Sequence, residues 1–494
     1  MVKIREIATA IDAQVIGDLD IEAYTLTHTT KNCHSGDIFV AIKGFKVNGN
    51  DFVSQAIAQG ASAIISEQPR PDTCSLSWLQ VTDARRALAE AAAVLYGFPS
   101  RALKLVGITG TNGKTTTAYL IDAIIRTAFG DSAMLTTVCN RINNIEQIAE
   151  RTTPEASDIQ RMLRTAVDAG CRGAVMEVSS HAIDLQRIAG LDFSTVVFTN
   201  LTQDHLDYHK TMENYFAVKR RLFDGSLGTE RATAAINIDC PYGRQLIKSF
   251  AGLVITYGFS SQASVYVENY HLSLNGLNLT VQTPAGRLNI SSSLVGKPHI
   301  YNILAATAAA LSLDIELTTI ARGIASLSCV PGRFDRVPCQ EDFAVVVDYA
   351  HTDDALRNVL ETAREVTRGR VICVFGCGGD KDRSKRPLMG EAAARYSDLV
   401  IATSDNPRSE DPDQIIAEAE IGLQRIGKPY HKISDRREAI HFAIAQAQPN
   451  DLVVIAGKGH ENYQILRDRT IHFDDKEVAY EALQARRTTA GGRS

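Results

Sequence analysis

Apolar residues along the chain fall into short continuous runs separated by longer amphipathic stretches. Asp37-Ile38-Phe39-Val40-Ala41-Ile42 reads as a strand, residues 56–61 as the end of a short helix, and Ala63-Ile64-Ile65 as a second strand. Phe98-Pro99-Ser100 interrupts this rhythm and predicts a linker. Leu105-Val106-Gly107-Ile108-Thr109 then opens a second unit, with Gly173-Ala174-Val175-Met176 and Thr195-Val196-Val197-Phe198 as further buried strands. Strands of this kind alternating with helices indicate a parallel sheet. Residues 262–290 differ, since polar and apolar positions alternate around Asn275-Gly276 and Ala285-Gly286. That predicts antiparallel hairpins on the edge of the same unit. Val330-Pro331-Gly332 marks a second break. Beyond it Val345-Val346-Val347, residues 371–375, Leu399-Val400-Ile401-Ala402 and Leu452-Val453-Val454-Ile455 restore the strand–helix rhythm. The expected fold class is α/β in three domains, at residues 1–99, 100–329 and 330–494. Residues 486–494 are small and polar and are expected to fray.

Composition narrows the class without naming a reaction. The 494 residues are 45% hydrophobic and 22% charged, which is ordinary globular usage and excludes a disordered chain or a fibre. No apolar run approaches the roughly 18 residues of a membrane span. Lys3 and Arg5 are not followed by an apolar signal core, so a cytoplasmic location is expected. The net charge of −5 argues against general nucleic-acid binding. Nine scattered cysteines with no CxxC pair point to reduced thiols rather than disulfides or zinc.

The chemistry-bearing residues gather at the ends of the expected strands. Gly110-Thr111-Asn112-Gly113-Lys114-Thr115-Thr116 lies between a strand and a helix. Glycines let backbone N–H groups converge on a phosphate, and the helix N-terminus adds partial positive charge. Lys114 can reach the β/γ-phosphates and the Thr115 hydroxyl can bind Mg²⁺. The loop departs from the strict GxxxxGK[ST] form, with Ile108 where the first glycine would stand. Glu177 ends the next strand and is placed to reach a metal on the nucleotide. His205, between Asp204 and Asp207, follows a third strand. Lys219, fourteen residues later in an expected helix, reads from its surroundings as a solvated lysine.

The last unit carries four such strand-ends: Asp348-Tyr349-Ala350-His351, Gly376-Cys377-Gly378-Gly379-Asp380, Asp405-Asn406-Pro407-Arg408 and Gly457-Lys458-Gly459-His460-Glu461. Four polar segments on one sheet edge indicate a binding face. Arg408 and Lys381 suit an anionic group and Glu461 an ammonium, so an amino acid satisfies all three.

Taken together, residues 110–115, 177–181, 200–209, 348–351 and 376–389 resemble the Mur ligases over nearly the whole chain. The resemblance implies a first domain that binds the UDP end of a sugar substrate, a central P-loop-type domain that binds ATP, and a Rossmann-like third domain that brings an amino acid. It implies a ligase that phosphorylates the D-glutamyl carboxylate of UDP-N-acetylmuramoyl-L-alanyl-D-glutamate and joins it to a diamino acid. Lys114, Thr115, Glu177 and His205 match the family's phosphate and Mg²⁺ positions. Lys219 matches its carbamylated lysine, which turns an ammonium that would repel Mg²⁺ into an oxygen ligand. Asn302, Arg333 and Asp348 match ATP contacts. Thr30, Thr152, Thr153, Ser180, Arg187 and Lys219 match the UDP-muramoyl-dipeptide site. Asp405, Asn406, Pro407, Arg408, Gly457 and Glu461 match the form that adds meso-diaminopimelate, with Lys381 where relatives often carry Arg. Arg408 can bind the extra carboxylate of diaminopimelate bidentately and would repel the lysine terminus. The resemblance further implies a monomer without a membrane span.

The chain departs from the family pattern at Thr29-Thr30-Lys31, at Thr136-Thr137-Val138-Cys139-Asn140 and at Pro298-His299. The first two bear on the nucleotide-sugar end. A same-fold ligase with L-lysine as the added amino acid, or with another acceptor, therefore stays open, as does a non-catalytic ATP-binding regulator.

Overall fold

The computed structural model describes residues 2–45, 47–227, 229 and 231–491. Met1 and residues 492–494 lie outside the described residues. Three main sheets form among them, each packed with helices. In the first, strands run in the order Gln14–Ile16, Ser77–Gln80, Ala63–Ser66, Ile38–Ala41 and Leu26–Thr27. Ile38–Ala41 and Ala63–Ser66 are buried along their whole length, as their unbroken apolar runs require. Helix Ala84–Leu95 packs an alanine-rich face on this sheet, its first turn capped by Asp83. The expected linker at Phe98-Pro99-Ser100 is instead a packed turn. Pro99–Ala102 is a 3₁₀ helix whose Pro99 and Ser100 are buried, and Ser100 Oγ accepts from Asp192 N at 3.0 Å.

The central sheet has eleven strands, six of them a parallel core ordered Ser132–Leu135, Gly173–Glu177, Lys104–Thr109, Thr195–Phe198, Thr233–Asn237 and Val254–Gly258. Helices Lys114–Phe129, Lys297–Ser312 and Leu317–Ser326 cover one face. Ala156–Asp168 and Met212–Arg220 cover the other. The expected antiparallel edge is present as Val265–Ser273, Gly276–Thr283 and Gly286–Ser292. The opposite edge carries a hairpin absent from the sequence reading, Cys139–Ile142 with Ile145–Ile148. Its Asn140, Arg141, Glu146 and Gln147 hide the apolar alternation that marks a strand.

The last sheet orders Asp335–Arg336, Ala344–Asp348, Leu452–Ala456, Val371–Cys377, Leu399–Ser404 and Tyr430–Lys432. The four expected strands are neighbours and parallel. Because Leu452–Ala456 inserts between the first two of them in sequence, the 457–461 segment leaves the sheet between the 348–351 and 376–380 segments. Helices Asp353–Val366, Lys385–Tyr396 and Pro412–Ile426 pack on one face. Arg436–Gln446 and Asp475–Gly491 pack on the other. The final helix continues through residues expected to fray, up to Gly491. Among the described residues no helix is long and apolar enough to cross a membrane.

Candidate active site

Three carboxyl ends of the central sheet stand side by side, with Glu177 paired to Ile108 and Phe198 to Thr109. The glycine loop leaves the middle strand there. Gly110 and Gly113 have φ of +149° and +88°, values that disfavour side chains, and a Cβ would strike Thr199 Oγ1 and Asn302 Oδ1 respectively. The adjacent strand end holds the loop. Thr199 Oγ1 donates to Asn112 O at 2.7 Å, and Asn200 Oδ1 accepts from Asn112 N at 2.9 Å. Thr111 N donates to Asn200 O at 2.9 Å. Lys114 Nζ donates to the carbonyls of Gly110 and Thr111 at 3.1 and 2.9 Å. Burial pushes its ammonium below the usual lysine range. Thr115 and Thr116 are buried in the first turn of the helix.

Glu177 is 1% exposed. Its Oε1 accepts from Thr115 Oγ1 and Thr137 N, both at 2.9 Å, and Oε2 from Thr137 Oγ1 at 3.2 Å. Among the described residues no basic side chain pairs with it within 4.0 Å. Lys114 is near enough to attract it without forming an ion pair. A hard cation fits this hydroxyl and carboxylate. No three His, Cys, Asp or Glu side chains among the described residues form a ready metal cluster. Mg²⁺ is a cation of this kind, since it takes one or two carboxylates and leans on phosphate oxygens and water.

Lys219 is 1% exposed, which overturns the reading of a solvated lysine. Tyr215, Phe216 and Lys219 form the inward stripe of an otherwise polar helix. Lys219 Nζ donates to Gly110 O at 2.9 Å and Thr109 Oγ1 at 3.3 Å. Burial, with Lys114 nearby, pushes it well below the usual lysine range. His205 begins the turn Leu206–His209 with a left-handed φ of 55°, a conformation that costs a non-glycine residue about 1–3 kcal/mol. Burial holds its imidazole below the usual value, which favours the neutral, metal-binding form.

Arg333 and Asp348 reach this region from the last unit. Arg333 Nη2 donates to Thr115 Oγ1 at 3.2 Å, its guanidinium lies over the Tyr349 ring, and its buried Nε has no partner among the described residues. Asp348 is turned onto its own loop, where it accepts from Phe334 N at 2.7 Å and Ala350 N at 2.9 Å and so supports Arg333. Asn302 also faces the loop, accepting from Thr117 Oγ1 at 3.4 Å and donating to His299 Nδ1 at 3.3 Å.

A cavity of about 260 Å³ opens beside His205 and runs between the two units. Lys381, Asp405, Asn406, Arg408, Gly457 and Glu461 line its other side. Pro407 lies outside that lining, its carbonyl packed against Gly379. Asn406 Nδ2 donates to Glu461 Oε2 at 2.8 Å, and Tyr349 OH to Glu461 Oε1 at 3.4 Å. Arg408 has φ 53° and donates to Gly379 O at 2.8 Å. The residues expected at the nucleotide-sugar end gather behind Glu177, apart from Thr30. Thr152 and Thr137 share a 3.1 Å hydrogen bond, and Thr153 Oγ1 donates to Glu177 O at 2.8 Å. Arg187 donates to Thr153 O at 3.1 Å and pairs with Glu155, while Ser180 Oγ meets His209 Nε2 at 2.9 Å. Thr30 donates to Gln55 at 3.2 Å within the first unit.

Sequence reasoning missed several of these partners. Thr137 lies in a loop noted only for its departure from the family pattern, yet it satisfies both Glu177 oxygens. Arg386, fully buried, joins Glu410, Glu418 and the Gly378 carbonyl, tying two of the cavity's loops together. His209 packs on Tyr215 and orients Ser180. No spacing rule marks such pairs, whose separations run from 6 residues for His209 and Tyr215 to 40 for Thr137 and Glu177.

Comparison with known proteins follows the same three units. Residues 108–310 match the Mur ligase middle domain, residues 332–459 the Mur ligase glutamate ligase domain, and residues 23–96 the Mur ligase family catalytic domain. The UDP-N-acetylmuramoyl-L-alanyl-D-glutamate–2,6-diaminopimelate ligase of Solibacter usitatus (strain Ellin6076) is 47% identical over 463 residues, 94% of each chain. The ligase of the same name from Geobacillus thermodenitrificans (strain NG80-2) is 45% identical, covering 95% of this chain and 96% of its own. A solved structure of a ligase of that name aligns at 34% identity and a TM-score of 0.71, covering 98% of this chain and 99% of the other. The MurF ligase from Thermotoga maritima in complex with ADP shares the fold at 19% identity and a TM-score of 0.65, covering 94% and 99%.

His299 makes the site acid-sensitive. Burial, reinforced by Arg333, pushes its imidazole down to about 4. As pH falls below about 6.5, the unfolded chain takes up a proton there and the native protein does not. Stability therefore falls between about pH 6.5 and 4, by at most about 1.4 kcal/mol per pH unit from this group. Denaturant titrations across that window should give a shallower fall for His299→Asn than for the wild type. Equal slopes would contradict the assignment.

Proposed function

The chain belongs to the Mur ligase family, and from that premise we propose how its geometry serves an ATP-dependent amide ligation. The protein joins meso-diaminopimelate to the D-glutamyl residue of UDP-N-acetylmuramoyl-L-alanyl-D-glutamate, a step of peptidoglycan precursor synthesis. The observation that carries this reading is the cleft that has His205 and Asp204 on one wall and Lys381, Asn406, Arg408 and Glu461 on the other. In this reading the nucleotide-activated carboxylate and the incoming amine meet in that cleft.

The loop amides of residues 110–115 and Lys114 hold the ATP phosphates, with Asn302, Arg333 and Asp348 fixing the nucleotide across the junction. An oxygen of the D-glutamyl carboxylate attacks the γ-phosphorus and ADP leaves, giving an acyl phosphate. The diaminopimelate amine then attacks the acyl carbon and loses a proton. The C–O bond breaks and inorganic phosphate departs. Mg²⁺, held by Thr115, Glu177, His205 and a carbamylated Lys219, would neutralise charge on the transferring phosphoryl group. Lys219 suits carbamylation because it is buried without an ion-paired carboxylate among the described residues, and burial favours its neutral amine. Residues 1–99 take the UDP end, 100–329 the ATP and 330–494 the amino acid. Thr30, Thr152, Thr153, Ser180 and Arg187 read the acceptor. We place the protein in the cytoplasm, as a monomer.

Arg408 faces the diaminopimelate carboxylate that L-lysine lacks, and Glu461 the ammonium beside it. A matrix of acceptors and diamino acids with ATP and Mg²⁺, read by mass spectrometry, should give ligated product with diaminopimelate and this acceptor. No product with any diamino acid would overturn the function. Arg408→Ala should lower the diaminopimelate-over-lysine preference by on the order of 100-fold, and a retained preference would refute its role. Lys219→Ala should lower kcat by on the order of 100-fold, and an unchanged rate would remove the carbamate.

A further inference from the structure

Lys458 follows Gly457 directly and is fully buried, though no substrate group has been assigned to it. Burying an ammonium costs several kcal/mol unless its protons are met. Its Nζ stands 3.3 Å from Asn406 Oδ1 and 3.3 Å from Glu461 Oε2, over the face of the Tyr463 ring. Asn406 Oδ1 also accepts from Ile465 N at 2.9 Å. Two donors therefore converge on the amide oxygen. Flipping the amide would set its NH₂ against an ammonium and an N–H, so the Asn406 nitrogen is kept toward Glu461. Glu461 Oε2 takes hydrogen bonds from both Asn406 and Lys458, which fixes the carboxylate at the cavity wall.

Charge gives Lys458 a second effect. Six carboxylates and three lysine or arginine side chains line the cavity, an excess that favours cations. The distal end of lysine is a bare cation, whereas that of diaminopimelate is a zwitterion. A positive charge directly behind Glu461 weakens the pull on the first far more than on the second.

We propose that Lys458 is a positioning and specificity-determining residue, which orients Asn406 and Glu461 and biases the wall of the cleft against a bare ammonium. The proposal rests on the diaminopimelate reading given above. The test is steady-state kinetics of wild type, Lys458→Met and Lys458→Gln with diaminopimelate and with L-lysine. Lys458→Met should raise the KM for diaminopimelate at least tenfold, leaving the KM for ATP and acceptor within about twofold. Its preference for diaminopimelate over lysine should fall at least tenfold. Lys458→Gln keeps a donor to Asn406 and removes the charge. It should show a smaller rise in KM and the same loss of preference. A preference unchanged in both variants, with wild type active, overturns this proposal alone. Loss of the cooperative unfolding transition in both variants also overturns it, because the ion pair is then structural. Wild type inactive with diaminopimelate overturns the functional reading and this proposal with it.

Discussion

A carboxylate at a buried strand end, with no basic partner among the described residues, is the constraint on which the site depends. Glu177 has three hydrogen-bond contacts from Thr115 and Thr137 and lies within the sheet, where water cannot screen it. Burial of such a group is eased by a nearby cation, a role open to Lys114 and to the Mg²⁺ proposed above. Lys219 presents the complementary case. It is a buried amine with no ion-paired carboxylate among the described residues, and burial together with Lys114 disfavours its charged form. The two lie on either side of the Lys104–Thr109 strand end, where the phosphate loop begins. Lys114 and Arg333 bring positive charge to the same loop.

The last unit completes the site by reaching into it. Arg333 crosses to Thr115, and Asn112 Nδ2 in the phosphate loop donates to Asp354 at 3.0 Å, at the start of a C-terminal helix. His205, Phe334, Asp380 and Arg408 all adopt left-handed backbone conformations on loops around the cleft. Each costs about 1–3 kcal/mol, and packing elsewhere must hold it in place. Arg386, with Glu410 and Glu418, supplies part of that hold on the amino-acid side.

The parallel strands were legible because burial on both faces writes itself as unbroken apolar runs. Their carboxyl ends were legible too, since glycine, aspartate and histidine stand out directly after such runs. The hairpin at 139–148 was not, because its strands are polar. Lys219 could not be recognised as buried from its own helix, where Lys219 and Arg220 look alike in sequence but only the first faces the loop. The Lys458–Asn406 contact joins residues 52 positions apart and emerges only when two strand ends are brought together. Pro99 misled in the opposite direction, since a proline break here serves packing.

Activation of a carboxylate by phosphoryl transfer within the cleft is the step on which the proposed ligation depends. Acceptor labelled with ¹⁸O in the D-glutamyl carboxylate tests it directly. After one turnover with diaminopimelate and ATP, the released phosphate should carry one ¹⁸O atom from that carboxylate, read by mass spectrometry or ³¹P NMR. Unlabelled phosphate released together with ligated product would contradict it.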